Sequence, residues 1–500
     1  MFAGEVDRTR RTLLAAATLL PAALTTSVQA ASPPVARCPA GIFAGRRVDG
    51  IDIFLGIRYG EDTATTRFKA PRASAPATAE TRAWQFGPAC PQRGTSPAQS
   101  EDCLFLNIWA PGTDARARRP VMVYIHGGAY ATGSGNDPLT DGASLAARGD
   151  VVVVTLTHRL NAFGYLSLAR IDPCFPDSGN AGQLDLVLAL AWVRENIAAF
   201  GGDAANVTLF GQSGGGAKIA TLMAMPAARG LFHRAVTMSG QQVTVSGPLI
   251  AAQRARAFLA RLGSDPHAAP TQALVEALEA ADPAMPGRLY FGPVLDHRNL
   301  LRHPFYPDAH PLGRTVPMML GNTIAETRAF FPPGHARLQG LEWSNLAGRI
   351  ATELVVDIAP EPVIAAYRRW FPERTAEEVF IAATTASRSW RAQVIEAEER
   401  ARAGVPAFVY QLDFARAAHS DDIGLVFATA TGMTAAKRAV SERMMDAFVA
   451  FARSADPGWP AYDLAHRKTM VFDAESRVIE DPRGRERELF ATAPYRQPGS

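Results

Sequence analysis

Asn206-Val207-Thr208-Leu209-Phe210-Gly211-Gln212-Ser213-Gly214-Gly215-Gly216 is the stretch on which the reading of this chain turns. Its apolar half reads as a buried strand, and its glycine half stops that strand at a corner where one serine stands. The run that follows, Ala217-Lys218-Ile219-Ala220-Thr221-Leu222-Met223, suits a helix. Gly211 and Gly215 flank Ser213 at the Gly-x-Ser-x-Gly spacing of a nucleophile elbow. In such a strand-to-helix turn small neighbours let the backbone pass closely and the hydroxyl is pushed outward. A helix start at the corner also places partial positive charge where a negative oxygen would develop. The same spacing occurs in plain flexible loops; the strand before it and the helix after it favour the catalytic reading.

Outward from the elbow, strand and helix signals alternate. Val121-Met122-Val123-Tyr124-Ile125 and Val151-Val152-Val153-Val154-Thr155 are continuous apolar runs, expected of strands covered on both faces of a parallel sheet. Between Leu184 and Phe200 apolar residues recur at helical spacing. The alternation continues through Ala235 to Ser239, Val316 to Leu320, Ala407 to Leu412 and a helix near Met444 to Phe451. Gly41 to Pro71 and Leu104 to Trp109 alternate apolar with polar residues, as antiparallel strands at a sheet edge do. The expected class is α/β, a large mixed and mostly parallel sheet with helices on both faces. Residues 247–286 and 343–400 read as helical insertions over the catalytic edge.

Composition excludes some functions. Among 500 residues, 47% are apolar and 20% charged, and 51 basic against 48 acidic residues leave a net charge of +3. That balance makes no case for nucleic acid or an anionic membrane as partner. Thr9-Arg10-Arg11-Thr12-Leu13-Leu14, an apolar run to Leu24 and the small-residue site Val28-Gln29-Ala30 read as an export signal of twin-arginine type over residues 1–30. The run falls short of the roughly 20 apolar residues that span a bilayer, so residues 31–500 are expected as one domain, periplasmic or secreted. Export permits disulfides. Of Cys38, Cys90, Cys103 and Cys174, the pair Cys90 and Cys103 brackets the polar loop Pro91 to Asp102 and is the preferred bridge; Cys38 and Cys174 either pair or stay free. None stands at zinc-site spacing.

Directly after the Val121 strand comes His126-Gly127-Gly128-Ala129-Tyr130. Residues this small leave backbone N–H groups free to converge on an oxyanion, and a glycine-rich stretch after an early strand is where this architecture supplies them. Glu101-Asp102-Cys103-Leu104-Phe105-Leu106-Asn107, His126 to Tyr130, Gly179-Asn180-Ala181-Gly182 with Leu184-Asp185, Phe200-Gly201-Gly202-Asp203 with Asn206 to Thr208, and the elbow at Ser213 together resemble the type-B carboxylesterases. That family includes para-nitrobenzyl esterases, animal carboxylesterases and cholinesterases, and the resemblance runs from about Gly41 to Phe490. It implies the α/β-hydrolase fold and a Ser, Glu, His triad in that chain order. Gly321-Asn322-Thr323-Ile324-Ala325-Glu326 resembles the family's acid motif and His419-Ser420-Asp421-Asp422-Ile423 its histidine motif. The fold's chain order favours Glu326 over Asp421 and Asp422 as the acid; Asp296 satisfies that order but lies before the Val316 to Leu320 strand, whereas Glu326 follows that strand's end, where an open α/β sheet presents its functional loops.

The expected chemistry is ester hydrolysis through an acyl-enzyme. His419 takes the Ser213 proton, Glu326 orients the imidazole, and the N–H groups of Gly128, Ala129 and Gly214 hold the oxyanion. No metal or cofactor is needed, and the partner is a small-molecule ester. Three positions depart from the family: Gln212 where Glu is usual, Gly214 where Ala is usual, and His158, read as structural. Two other readings stand beside the esterase: a catalytically inert cholinesterase-like binding or adhesion protein, and an amide, lactone or carbamate hydrolase. Tyr130, Phe163 and Phe331 are candidate pocket aromatics; the oligomeric state is not legible.

Overall fold

Among the residues described by the computed structural model, 32–94 and 98–500, eleven strands form one sheet. In chain order these are β1 (Arg46–Val48), β2 (Ile51–Arg58), β3 (Phe105–Ala110), β4 (Arg119–Ile125), β5 (Val152–Leu156), β6 (Gly202–Gln212), β7 (Arg234–Met238), β8 (Met318–Thr323), β9 (Ala407–Leu412), β10 (Lys468–Phe472) and β11 (Arg477–Glu480). Their spatial order is β1-β2-β3-β5-β4-β6-β7-β8-β9-β10-β11. From β5 to β10 every pairing is parallel; the flanking strands pair antiparallel. A three-stranded sheet of Val35–Cys38, Gly41–Ala44 and Glu80–Arg82 stands apart. The export segment expected over residues 1–30 lies outside the described residues.

Alternation along each strand divides the core into two layers, because successive side chains point to opposite faces. Val121, Val123 and Ile125 of β4 pack in one cluster with Leu186, Leu190 and Val193 of the helix Ala181–Asn196 and with Ile219 of the helix Gly214–Leu222. Met122 and Tyr124 join the other cluster, with Leu145 of the helix Ala143–Gly149 and Met444 and Phe448 of the helix Ala435–Ser454. Each such fully buried side chain contributes about 1.5–3 kcal/mol by leaving water. The insertions are helical: Pro248–Leu262 and Thr271–Ala277 in the first, Leu346–Ile350, Pro360–Trp370, Ala376–Thr385 and Arg391–Arg402 in the second. The second has its own core of Leu346, Tyr367, Phe380 and Phe331. No helix among the described residues is long and apolar enough to cross a membrane.

All four cysteines are free thiols, so neither Cys90 with Cys103 nor Cys38 with Cys174 is bonded. Cys90 and Cys103 are nevertheless neighbours in the core: hydrogen bonding to Cys90 and then burial push the Cys103 thiol well up, and Leu160 N–H donates to Cys90 Sγ at 3.2 Å. Cys38 is half-buried and Cys174 is exposed on a loop.

Candidate active site

The sheet delivers its functional loops at the C-terminal ends of its parallel strands, where an open α/β sheet presents them. Ser213 follows β6, Glu326 follows β8 and His419 follows β9. At the elbow Ser213 adopts φ 54° and ψ −125°, a left-handed conformation that costs energy for any side chain and persists because the neighbours fix it. Ser213 N–H donates to Met238 O of β7 at 2.8 Å, and Ser213 O accepts from Ala217 N–H at 3.1 Å. Gly215 is obligatory, since a Cβ there would lie 1.9 Å from Ile125 O at the end of β4.

Glu326 is fully buried and holds His419 through Nδ1. Its other oxygen accepts from the Ser239 hydroxyl and from Thr323 N–H at 2.7 Å. Burial alone would raise this carboxyl, but the His419 charge and hydrogen bond, with those two donors, bring it below the ordinary glutamate value. A carboxylate on Nδ1 fixes the ring as the tautomer whose Nε2 lone pair is free to accept. That Nε2 faces the elbow and lies 3.2 Å from the Gln212 amide nitrogen; Ser213 Oγ has no partner among the described hydrogen bonds. A neutral amide can donate to this lone pair and a glutamate could not, which gives the departure at Gln212 a physical content. The Phe330 ring covers His419 at 4.8 Å between centroids.

The other acids are occupied elsewhere. Asp421 accepts from Ala418 N–H at 2.7 Å. Asp422 accepts from the Tyr410 hydroxyl at 3.1 Å, and burial, then repulsion from Glu326, pushes its carboxyl up to about 7. Asp296 closes a turn, taking the N–H groups of Arg298, Asn299 and Leu300 at 2.8–3.0 Å.

Across the elbow, every carbonyl of the loop after β4 has a partner. Gly127 O is met by His126 Nδ1 at 2.9 Å, and Gly128 O takes Ala131 and Thr132 N–H at 3.1 and 3.0 Å. His126 O and Ala129 O both accept from Lys218 Nζ, at 3.1 and 2.8 Å. With its carbonyls turned away, the loop leaves the N–H groups of Gly128 and Ala129, and that of Gly214 at the helix start, without an acceptor among the described hydrogen bonds. Gly128 and Ala129 have φ of 81° and 52°. The glycine at 214 is explained here as well: a Cβ would lie 2.1 Å from Ala129 O, the oxygen Lys218 holds.

Lys218 is a residue that sequence reading passes over, because a lysine in an apolar helix reads as a solvated edge. It is fully buried beneath the loop, with Tyr130 at 5.4 Å from its ammonium and no carboxylate among its partners in the described ion pairs. Burial brings it down to about 7. His126 and His158 stack beside it, 4.8 Å between centroids; burial and then Lys218 hold both rings neutral, His126 at about 3. His158 bonds Arg159 O through Nδ1 at 2.8 Å and takes a packing role.

A cleft of ≈ 140 Å³ opens over the serine, with Ala129, Tyr130, Ser213 and Gly214 on its floor. Tyr130 lines it and donates to Gln242 Oε1 at 2.8 Å. Phe163 is core, and Phe331 packs on Phe380 at 5.0 Å rather than on the cleft. A serine hydroxyl lining the cleft, an imidazole backed by a carboxylate and three N–H groups without acceptors are the parts for acyl transfer. Comparison with known proteins agrees. The family described as "Carboxylesterase family" matches residues 32–489. The para-nitrobenzyl esterase of Bacillus subtilis is 34% identical over 492 residues, covering 90% of this chain and 96% of that protein. A crystal structure of a Geobacillus stearothermophilus carboxylesterase superposes with TM-score 0.83 at 33% identity, covering 91% of this chain and 99% of that one. An esterase of Clostridium hathewayi, described as able to hydrolyse aliphatic aromatic polyesters, superposes with TM-score 0.75 at 30% identity over 92% of this chain and 98% of its own.

Proposed function

The chain belongs to the carboxylesterase family and is a hydrolase of carboxylic esters with the α/β-hydrolase fold, and we propose that it works through Ser213, His419 and Glu326. In this reading the Gln212 amide gives way, and His419 Nε2 takes the proton of Ser213 Oγ as that oxygen attacks the ester carbonyl. The tetrahedral oxyanion settles against Gly128, Ala129 and Gly214 N–H, while Glu326 stabilises the imidazolium. The protonated ring hands its proton to the leaving alcohol, and water, activated by the same ring, releases the acid from the acyl-serine. The observation that carries the reading is the Glu326 to His419 hydrogen bond beside the left-handed serine. Ser213→Ala abolishes hydrolysis of p-nitrophenyl esters with the circular dichroism unchanged, and Glu326→Gln lowers turnover by roughly three to four orders of magnitude with much less effect on ground-state binding. Full turnover in Ser213→Ala removes the proposal.

We further propose that the protein is exported and cut after Ala30, and that Cys90 and Cys103, free thiols that share a hydrogen bond in the core of this structure, are oxidised to a disulfide by the oxidising compartment they enter. The bridge would contribute on the order of 3 kcal/mol for a loop this short. Intact-mass measurement of protein from the periplasm or medium shows a chain starting at Ala31 and two hydrogens lighter than the reduced form. A full-length, fully reduced chain in that fraction contradicts both.

A further inference from the structure

Part of the wall of the cleft, Arg388, Ser389 and Ala392, is built by the second helical insertion. Its helices Ala376–Thr385 and Arg391–Arg402 are joined by a π turn, Ala386–Trp390, in which Arg388 leaves helical geometry with φ −93° and ψ −105°. π turns inside α-helical runs are frequent at functional sites. Arg388 lines the cleft with Ser213, together with Gln241, Tyr290, Tyr495 and Gln497. Its guanidinium lies 5.3 Å from the centre of the Phe330 ring, the ring that covers His419. Burial raises the Tyr290 and Tyr495 hydroxyls, and the Arg388 charge works against it at both, behind Arg254 at Tyr290.

Among the described residues Arg388 has no carboxylate in ion-pair contact, whereas Arg483, over the Trp390 ring, is paired with Glu486. No other lining residue of the cleft carries a charge. Glu396, a buried acid on the helix that follows the π turn, takes Gln242 N–H at 2.7 Å, and burial pushes its carboxyl up to about 8, so at neutral pH it does not cancel the arginine. The remaining polar side chains of the cleft are amides and hydroxyls. A half-buried cation walled by aromatic rings and amides has the composition of a carboxylate receptor, since guanidinium meets carboxylate in a paired-donor geometry and is less strongly hydrated than an ammonium.

We propose that this cleft takes esters bearing a carboxylate, and that Arg388 receives it. The inference rests on the serine esterase reading above and adds the substrate class to it. The carboxylate sits on the acyl part, as in a half-ester of a dicarboxylic acid, or on the alcohol part, as in an ester of a carboxylated phenol. Either places one negative group on the arginine while the ester carbonyl reaches Ser213.

The test compares two matched pairs of substrates: p-nitrophenyl hydrogen adipate beside p-nitrophenyl hexanoate, and p-carboxyphenyl hexanoate beside phenyl hexanoate. The quantity read is the ratio of kcat/KM within each pair, in the wild type, Arg388→Met, Arg388→Lys and Arg388→Glu. In the pair whose carboxylate reaches the arginine, Arg388→Met lowers the ratio by about 10- to 100-fold, the range of a hydrogen bond to a charged group. Arg388→Lys falls between, and Arg388→Glu lowers it further. The pair that responds shows which side of the ester carries the charge. The wild-type ratio also falls with added salt, a readout that needs no variant to fold. Ratios unchanged by all three substitutions, or by salt, overturn the proposal. Ser213→Ala run on the neutral esters separates the two readings: activity there removes the serine mechanism, whereas an inactive Ser213→Ala with flat Arg388 ratios removes the carboxylate reading alone.

Discussion

Two buried carboxyls share the neighbourhood of the His419 ring, and their surroundings separate their roles. Glu326 collects three donors and stays ionised; Asp422 has one, the Tyr410 hydroxyl, and keeps its proton to about 7. In the unfolded chain Asp422 returns to its ordinary value of 3.8. Across that window the folded chain holds a proton that the unfolded chain has lost, so stability falls as pH rises from about 4 to about 7, by on the order of 2–4 kcal/mol. Asp422→Asn is neutral at every pH and removes this slope. Thermal unfolding at pH 5 and pH 8 therefore shows the variant gaining on the wild type at the higher pH; equal differences at both values contradict the assignment. Ser213, Glu326 and His419 were legible in the sequence because each follows an apolar strand and sits in a motif of its own. Gln212 was visible as a departure, but its contact with the imidazole depends on how the elbow turns, which residue identity does not reveal.

The loop after β4 and the helix Gly214–Leu222 act as one device, joined by Lys218. An ammonium buried without a carboxylate is costly, and here it fixes two carbonyls whose alternative orientations would misdirect the N–H groups proposed to hold the oxyanion. Lys218→Met fills the same space and offers no donor. Steady-state kinetics show kcat falling on the order of 10²-fold with a much smaller change in KM; unchanged kcat shows that the loop holds its orientation unaided. None of this was readable from Lys218 itself, since its burial is created by residues 126–130 crossing above it. The parallel strands from β4 to β9 were legible as apolar runs with only their ends misplaced, β6 beginning at Gly202 rather than Asn206. β10 and β11 were not: Lys468-Thr469-Met470-Val471-Phe472 is short, and Arg477-Val478-Ile479-Glu480 is an edge strand with three of its four residues exposed. The insertions were legible as helical, while the π turn that carries Arg388 leaves no mark in the pattern of apolar residues.

At the scale of the molecule, residues far apart in sequence close the cleft. Tyr495, Gln497 and Pro498 form part of its wall. Gln497 accepts from Val243 N–H at 3.0 Å, and Gly499 O accepts from the buried Arg254 at 2.7 Å. Deleting residues 495–500 opens this wall and leaves Arg254 short of one acceptor. The deletion lowers stability by on the order of 2 kcal/mol and raises KM, read by thermal unfolding and by initial rates; a truncated protein with wild-type KM shows that the segment is a cover only. The overall architecture was legible because one alternating pattern of strand and helix admits few topologies. The closure by residues 495–500 was not, since nothing in Tyr-Arg-Gln-Pro-Gly-Ser names its docking place.

The order in which the proposed catalytic groups enter the chain has a further consequence. Ser213 and Glu326 precede the exposed turn Pro332-Pro333-Gly334, and His419 follows it, beyond the end of a strand that pairs directly with the strand leading to Glu326. Neither fragment made by cutting at that turn holds a complete set, yet β8 and β9 rejoin them along six register pairs from Met318 with Ala407 to Thr323 with Leu412. Ester hydrolysis is therefore a readout of reassembly: a colour change from a p-nitrophenyl ester counts molecules in which the two halves have found each other, and is silent for either half alone.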